Sequence, residues 1–454
     1  MRDPRFQALA AQLAGYSTAL RPGDRVLLEL TDIPEEMGIA LIREVRKAGA
    51  MPFLRLNQSR LNREMLSGAT EEQYGIIGRH RLAEMEDMDA YIEIRGGGNA
   101  FELSSVPQEN MAAAMKALNP VSQRRIRHTR WCGLRWPSGG MAQQASMSTE
   151  EFEDFYFRTC LMDYAALRPA MRKLAAMMEK AEYVKITGPG TDISFSIKGL
   201  PAIPCAGECN LPDGEVFTAP VIDSANGHIS FNTPSLFQGI PFDNIRLTLK
   251  NGLVVHAEAG DKTGELNAIL DTDPGARRLG EFAFGVNPAI TRPMRNILFD
   301  EKISGSFHLT PGQAYHVADN GNQSRIHWDM VCIQTKAAGG GDIYLDGKLV
   351  RRNGLFTLPE LASAVEARTP VIVLLWNNQG YEEIKKYMVN RDIEPVGVDI
   401  YTPDFIGVAR ALGCTALAVD GEAQLRVALA SAADRQGPTV IEIDEHLWQQ
   451  ALAL

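Results

Sequence analysis

The sequence predicts a mixed α/β and α+β protein in three units, and three changes of texture along its 454 residues predict it. Strand-like and helix-like stretches alternate up to about residue 183, which is the pattern of a mostly parallel sheet with covering helices. From Tyr183 to about Gly354, short strands are punctuated by turn sequences such as Gly188-Pro189-Gly190, Pro212-Asp213-Gly214 and Lys250-Asn251-Gly252. Beyond Phe356, apolar strand runs alternate with helical stretches once more. The expected units are 1–185, an N-terminal parallel-sheet α/β domain; 186–354, a β-rich domain; and 355–454, a further α/β segment.

In order along the chain, Phe6 to Leu20 repeats apolar residues at helical spacing, and Arg21-Pro22-Gly23-Asp24 breaks the repeat. Arg25-Val26-Leu27-Leu28-Glu29-Leu30 reads as a strand and Pro34 to Ala48 as a helix, followed by a short apolar run at Met51 to Leu56. Asp89 to Ile94 is another strand, ending at Arg95-Gly96-Gly97-Gly98. That glycine run would let a backbone approach a phosphate, but without a following G-x-x-G helix start it reads as a plain loop. Thr149 to Ala181 is predicted as one long helix, with Met162, Met171, Met177 and Met178 as core filler. The β-rich unit contains some helix around Ala268 and from Asp273 to Leu279. In the last unit, Leu358–Glu366, Pro403–Leu412 and Glu422–Ala433 are helical, and Pro370–Trp376, Thr415–Val419 and Thr439–Ile443 are strands.

The composition is 45% hydrophobic and 22% charged, enough apolar side chain for real cores. A net charge of −10 argues against a nucleic-acid partner. No apolar run reaches the roughly 18 residues of a membrane span, and Met1-Arg2-Asp3-Pro4 does not open a signal peptide. A cytoplasmic protein with no membrane partner is expected. The six cysteines are scattered, and Cys205-Ala-Gly-Glu-Cys209 has no second pair to complete a zinc site. They read as free thiols.

Potential metal ligands concentrate in the β-rich unit. Glu215 follows a turn and opens a β-like run, and Glu281 stands among apolar neighbours in Leu279-Gly280-Glu281-Phe282, where an unpaired buried charge would be very costly. His308 follows in Ser306-Phe307-His308-Leu309, Tyr315 lies seven residues later, and His327-Trp328-Asp329 closes the set. If that triplet is extended, His327 and Asp329 share one face and Trp328 takes the other. Imidazole and carboxylate donors suit zinc, cobalt, manganese or iron(II), and three carboxylates with two histidines suffice for two ions. Spacing alone leaves surface ion pairs and satisfied core histidines as the competing account.

The runs Gly214-Glu215-Val216-Phe217-Thr218-Ala219-Pro220, Leu279-Gly280-Glu281 and Asn322 to Met330 resemble the aminopeptidase T/aminopeptidase S family of thermophilic-type leucyl metallo-aminopeptidases. Arg21-Pro22-Gly23-Asp24, Arg135-Trp136-Pro137-Ser138, Met141-Ala142-Gln143 and Met147-Ser148 extend the resemblance over about residues 1–354. It implies that the β-rich unit is the catalytic metal domain, with Glu215, Glu281, His308, Tyr315, His327 and Asp329 around two zinc or cobalt ions. It further implies peptide substrates with a free N-terminus and a homodimer. Glu215, Glu281 and Tyr315 would act on the substrate, either glutamate passing a proton to the leaving amine and Tyr315 serving as a ligand or an oxyanion donor; His316 would be a spare acid or base.

The remainder is similar to the second half of the thiamine-diphosphate-binding domain of acetolactate synthase-like enzymes, through Val373 to Tyr381, Thr402-Pro403-Asp404-Phe405 and Gly437 to Ile443. It would be a partial doubly wound fragment, a fusion by-product or retained docking element more mobile than the rest. Asn377-Asn378 matches the end of that family's magnesium motif, but Val350-Arg351-Arg352-Asn353-Gly354 stands where its Gly-Asp-Gly should open. Asp346-Gly347 is a substitute by distance but belongs to the peptidase-like ending and lacks the preceding glycine, so thiamine diphosphate is not expected. Two rival functions use the same residues: a mononuclear iron(II) ring-cleaving dioxygenase through His308, His327 and Asp329, and a non-catalytic fusion protein.

Overall fold

The computed structural model describes residues 3–99, 101–357, 370–378, 391, 404–445 and 447–448. They group into two compact units, Met1–Leu355 and Phe356–Leu454. Among the described residues, no helix is long and apolar enough to cross a membrane.

The first unit opens with α1 (Pro4–Ala11), a π-helical turn at Gln12–Ser17, β1 (Arg25–Thr31), α2 (Glu35–Lys47) and β2 (Met51–Asn57). It continues through α3 (Ser59–Ser67), α4 (Glu71–Glu86), β3 (Ala90–Arg95), α5 (Gln108–His128), β4 (Arg130–Arg135) and α6 (Gly139–Gln144). The helix expected over 149–181 is two helices, α7 (Thr149–Cys160) and α8 (Tyr164–Lys180). The break has a local cause: the Asp163 carboxylate accepts the Ala166 N–H at 2.9 Å, which is an N-cap. Ser148 caps α7 in the same way, accepting the Glu151 N–H at 3.2 Å.

The β-rich stretch comprises β5 (Tyr183–Gly188), β6 (Thr191–Ser196), β7 (Ile203–Cys205), β8 (Asn210–Leu211), β9 (Glu215–Thr218), β10 (Asn226–Ser230), β11 (Ser235–Phe237) and β12 (Ile240–Phe242). Next come β13 (Arg246–Lys250), β14 (Leu253–Glu258), α9 (Thr263–Leu270), β15 (Leu279–Gly285) and α10 (Ile297–Asp300). Then follow β16 (Ser306–Pro311), β17 (Met330–Ile333), β18 (Asp342–Leu345), β19 (Lys348–Arg352) and β20 (Leu355–Phe356). Helix around Ala268 is present, but 273–279 is a turn that runs into β15. There the Asp273 carboxylate accepts the N–H groups of Gly275 and Arg325, at 3.1 and 2.7 Å, so the chain is tied across rather than along a helix.

The N-terminal sheet is parallel, in the order β2-β1-β3-β4-β8. Val26, Leu28 and Leu30 point to a core that also takes Phe152, Tyr156 and Tyr164, while Leu27 points to the opposite face with Met85 and Tyr91. That first core is completed by Ile290, Met294, Phe299 and Ile303, from far along the chain. β2 is an edge, with Met51, Phe53, Leu54 and Leu56 exposed.

Two larger antiparallel sheets and the two-stranded β11-β12 form the β-rich part. One runs β14-β13-β10-β6-β5-β18-β19 and the other β17-β16-β15-β9-β7. Their shared core holds Phe195, Phe282, Phe284, Phe307 and Trp328. In the second sheet, Val216, Phe282, Phe284, Phe307 and Leu309 face that core. Strand alternation therefore turns Glu215, Glu281 and His308 to the other face.

In the second unit, β21 (Ile372–Asn377), α11 (Phe405–Ala411), β22 (Thr415–Val419), α12 (Glu422–Ala433) and β23 (Thr439–Asp444) form a parallel sheet in the order β21-β23-β22. Among the described residues β21 pairs with β23 alone, the edge position expected of a doubly wound sheet without its first strands. The helix predicted over 358–366 and the segment Gln379-Gly380-Tyr381 lie outside the described residues.

Candidate metal centre

Three neighbouring strands and one extended segment bring the donors together. Glu215 opens β9 opposite Gly285, Ala283 pairs with His308, and Glu281 pairs with Thr310. His327 and Asp329 precede β17; His327 makes a lone bridge to Gly312, and Trp328 turns away to stack on Phe237 at 4.5 Å. The expected division of that triplet therefore occurs in an extended segment outside any strand.

The donor atoms fall into two sets of three, Glu215 with Glu281 and His308, and Glu281 with His327 and Asp329, the atoms of each set within 4.8 Å of one another. Glu281 is common to both. His308 Nε2 donates to Glu281 Oε1 at 2.8 Å and lies 3.5 Å from Glu215 Oε2. His327 Nδ1 donates to the Gln313 carbonyl at 2.7 Å, which turns Nε2 toward Asp329 at 3.2 Å and Glu281 at 3.9 Å. Tyr315 is half exposed beside them, its ring 4.6 Å from that of His327, and His316 is exposed on the wall of the same cavity. The cavity holds about 1040 Å³ and reaches both sets.

The charges are strongly coupled. Burial disfavours the cationic form of both histidines, but contact with Glu281 lifts His308 to about 9 and contact with Asp329 lifts His327 to about 10. For Asp329, burial is outweighed by His327, and the carboxyl is held below its usual range. For Glu281 burial wins and the carboxyl is raised.

Buried polar atoms of this face lack partners: Glu215 Oε2, Glu281 Oε2 and His308 Nδ1 make no hydrogen bond. Two of these are carboxylate oxygens aimed into the donor sets, as ligands of divalent ions would be, so the residues fit such ions. A third set, Cys205 with Asp213 and Glu215, does not fit. Asp213 already accepts the N–H groups of Gly207 and Gly214, at 2.7 and 2.9 Å, and burial keeps the Cys205 thiol protonated by raising it well above its usual range.

Four supporting residues were not anticipated from the sequence. Thr310 donates to Asp329 Oδ1 at 2.6 Å, and the Gln313 carbonyl orients His327. Lys302, fully buried, donates to Glu215 Oε1 at 3.2 Å and also to Glu301, which lines the cavity. The one visible signal was a lysine three residues beyond the apolar run Ile297-Leu298-Phe299. Thr310→Val should weaken divalent-metal binding about 10–100-fold by freeing Asp329, as measured by competition with a chelating dye. Gly280 is equally constrained: a Cβ there would lie 2.3 Å from the Gly312 carbonyl oxygen. Gly280→Ala should therefore cost about 1–3 kcal/mol in urea unfolding.

A buried carboxylate–imidazole face with unsatisfied oxygens, opening on a cavity, defines a metalloenzyme. The profile of the thermophilic metalloprotease family (M29) matches residues 2–356, and the chain belongs to that family. Aminopeptidase PepS of Streptococcus thermophilus is 26% identical over 370 residues, 72% of this chain and 87% of that one. In fold, the chain is similar to wild-type AmpT from Thermus thermophilus, with a TM-score of 0.66 at 22% identity over 78% of this chain and 99% of that one. It is also similar to 2,5-dihydroxypyridine dioxygenase from Pseudomonas putida KT2440, with a TM-score of 0.51 at 14% identity over 78% of this chain and 97% of that one.

A second profile, the C-terminal TPP-binding domain of thiamine pyrophosphate enzymes, matches residues 353–443. The residues that should open its magnesium motif do not fit thiamine diphosphate. Arg351 is fully buried and donates to the Ser306 carbonyl at 2.7 Å, and Asp346 accepts the N–H groups of Glu182 and Tyr183, at 3.0 and 2.8 Å. Neither position offers a free carboxylate for magnesium.

Proposed function

We propose that the chain is a metal-dependent aminopeptidase that hydrolyses the N-terminal residue of peptides with two divalent ions, zinc or cobalt. The observation that carries the dinuclear reading is the position of Glu281 in both donor sets, since a carboxylate is a natural bridge between close ions. Glu215, Glu281 and His308 would hold one ion, and Glu281, His327 and Asp329 the other, with Tyr315 beside the second. When bound, such ions supply a water nucleophile at neutral pH and polarise a carbonyl.

The chain's own groups would do the rest. Lys302 holds Glu215 Oε1 by a hydrogen bond while Oε2 faces the donor set. Gln313 and Thr310 fix the directions of His327 and Asp329. The Tyr315 phenol, half exposed on the cavity, is in place to donate to a carbonyl oxygen seated there. Glu215 or Glu281 would return the proton to the leaving amine.

The mononuclear iron alternative needs His308, His327 and Asp329 as one set, yet the two histidines fall in different sets. Elemental analysis of the purified protein, paired with leucyl-p-nitroanilide hydrolysis after zinc or cobalt reconstitution, tests the reading. Close to two ions per chain with hydrolysis is expected. One iron per chain without peptide hydrolysis would overturn it in favour of the dioxygenase.

A homodimer is part of the same proposal. The apolar edge of β2, with Phe53, Leu54 and Leu56 exposed, is the surface a second copy would cover. Sedimentation of Leu54→Lys should then show a shift toward monomer.

A further inference from the structure

We propose that the crevice at the carboxyl ends of β1 and β3 binds the phosphate group of a small molecule, with Arg135 and Arg295 as its cationic partners. This site is separate from the metal centre and stands independently of the peptidase reading.

The topology makes the crevice. In the order β2-β1-β3-β4, the chain leaves β1 toward β2 on one side and returns to β3 on the other. The connections after β1 and β3 thus lead to opposite sides of the sheet, and in parallel sheets this is where ligands seat. A cavity of about 620 Å³ opens there.

The glycine run after β3 shapes its floor. A Cβ on Gly96 would lie 2.2 Å from the Asp32 carbonyl oxygen, and one on Gly140 would lie 2.4 Å from that of Gly98. These loops approach so closely that only backbone fits between them. Gly97 has a φ of +121°, open to glycine alone. No acceptor for the N–H group of Gly97, which lines the cavity, is found among the described residues. A backbone surface with a free N–H is what a phosphate oxygen requires.

The charges select an anion. The three glutamates on the wall are already paired: Glu29 with Arg55 at 2.9 Å, Glu93 with Arg95 at 2.6 Å, and Glu102 with Arg63 at 2.6 Å. Arg135 and Arg295 line the same cavity and, among the described residues, have no ion pair or side-chain hydrogen bond. Asp300 acts on the Arg295 guanidinium and Glu93 on that of Arg135 only through space, so two guanidinium forks face one cavity with their donors unengaged among the described residues, in a chain of net charge −10. Arg295 is held in place by its backbone, at a φ of +55°, because the flanking N–H groups of Met294 and Asn296 donate to the buried Asp300 carboxylate, at 2.5 and 3.2 Å. The planar guanidinium fork matches phosphate oxygens.

The test is calorimetric titration of the full chain at low ionic strength with inorganic phosphate and, separately, ribose 5-phosphate. We expect saturable binding of one ligand per chain, unchanged in chelator-treated protein and weakened at least tenfold by Arg135→Gln and by Arg295→Gln. Arg135→Lys, which keeps the charge and loses the fork, should recover part of that affinity and guards against a folding defect. Tighter binding of ribose 5-phosphate identifies an organic phosphate as the occupant, and equal affinity identifies the free anion. Absence of saturable binding, binding that survives both glutamine substitutions, or binding abolished by the chelator would overturn the proposal.

Discussion

Glu281→Ala should lower leucyl-p-nitroanilide hydrolysis by at least about 10³-fold, equivalent to about 4 kcal/mol of barrier. Metal content should fall from near two ions per chain to below one. The size of the effect follows from position: every other donor belongs to one metal-type set with Glu281, whereas Glu281 belongs to both. Removing His308 or Asp329 leaves one complete set; removing Glu281 leaves none. The substitution deletes a buried acid between His308 and His327 while Phe282 and Phe284 keep the strand in its core, so the folded protein should remain available for analysis. Retention of two ions and of activity in Glu281→Ala would end the dinuclear reading.

Lys302→Met should destabilise the metal-free protein by about 3–5 kcal/mol in urea unfolding, the cost of breaking a buried ion pair by removing one partner. Lys302 is fully buried, and its ammonium is held charged, well above its usual range, because Glu215 and Glu301 outweigh the cost of burial. Methionine fills the space of the stem but takes the ammonium from both carboxyl groups, leaving Glu215 only the His308 imidazole at 3.5 Å. Divalent ions at the neighbouring set would take over part of that compensation for Glu215, so the zinc-loaded variant should lose less stability than the metal-free one. Equal losses in the two states would show that Lys302 serves Glu301 and the fold alone. Unfolding followed with and without zinc in both proteins separates the outcomes.

How far the sequence could be read depended on whether a signal was local. β1 was plain from Val26 to Leu30 because a strand buried on both faces is a near-continuous apolar run, here interrupted by Glu29 alone. β4 was hidden, since Arg130-Trp131-Cys132-Gly133-Leu134-Arg135 carries arginines at both ends and a glycine inside. α7 and α8 share an unbroken apolar periodicity, and only the cap at Asp163 separates them. Helix over 273–279 failed because the Asp273 carboxylate closes a turn with Arg325, a partner fifty-two residues away. At the site, the glutamates and histidines came from short runs that resemble a known family. Lys302, Thr310 and Gln313 did not, because their roles arise only when the segment after α10 meets β9 and the extended segment before β17 lies against β16 and the residues after it. Chemistry that is local in space but not in sequence leaves little trace in a single chain.

The completion of the N-terminal core by residues far downstream has a consequence for synthesis on the ribosome. Five parallel strands need β8, at Asn210–Leu211, and the apolar face of that sheet needs Ile290, Met294, Phe299 and Ile303. The first half of the chain thus leaves the exit tunnel with its sheet one strand short and part of its apolar face bare. It must wait for roughly a hundred residues beyond α8 before it can close. During that interval the nascent chain is a natural client for chaperones. A ribosome stalled before residue 303 should display a protease-sensitive N-terminal half, which becomes resistant once Ile303 has emerged.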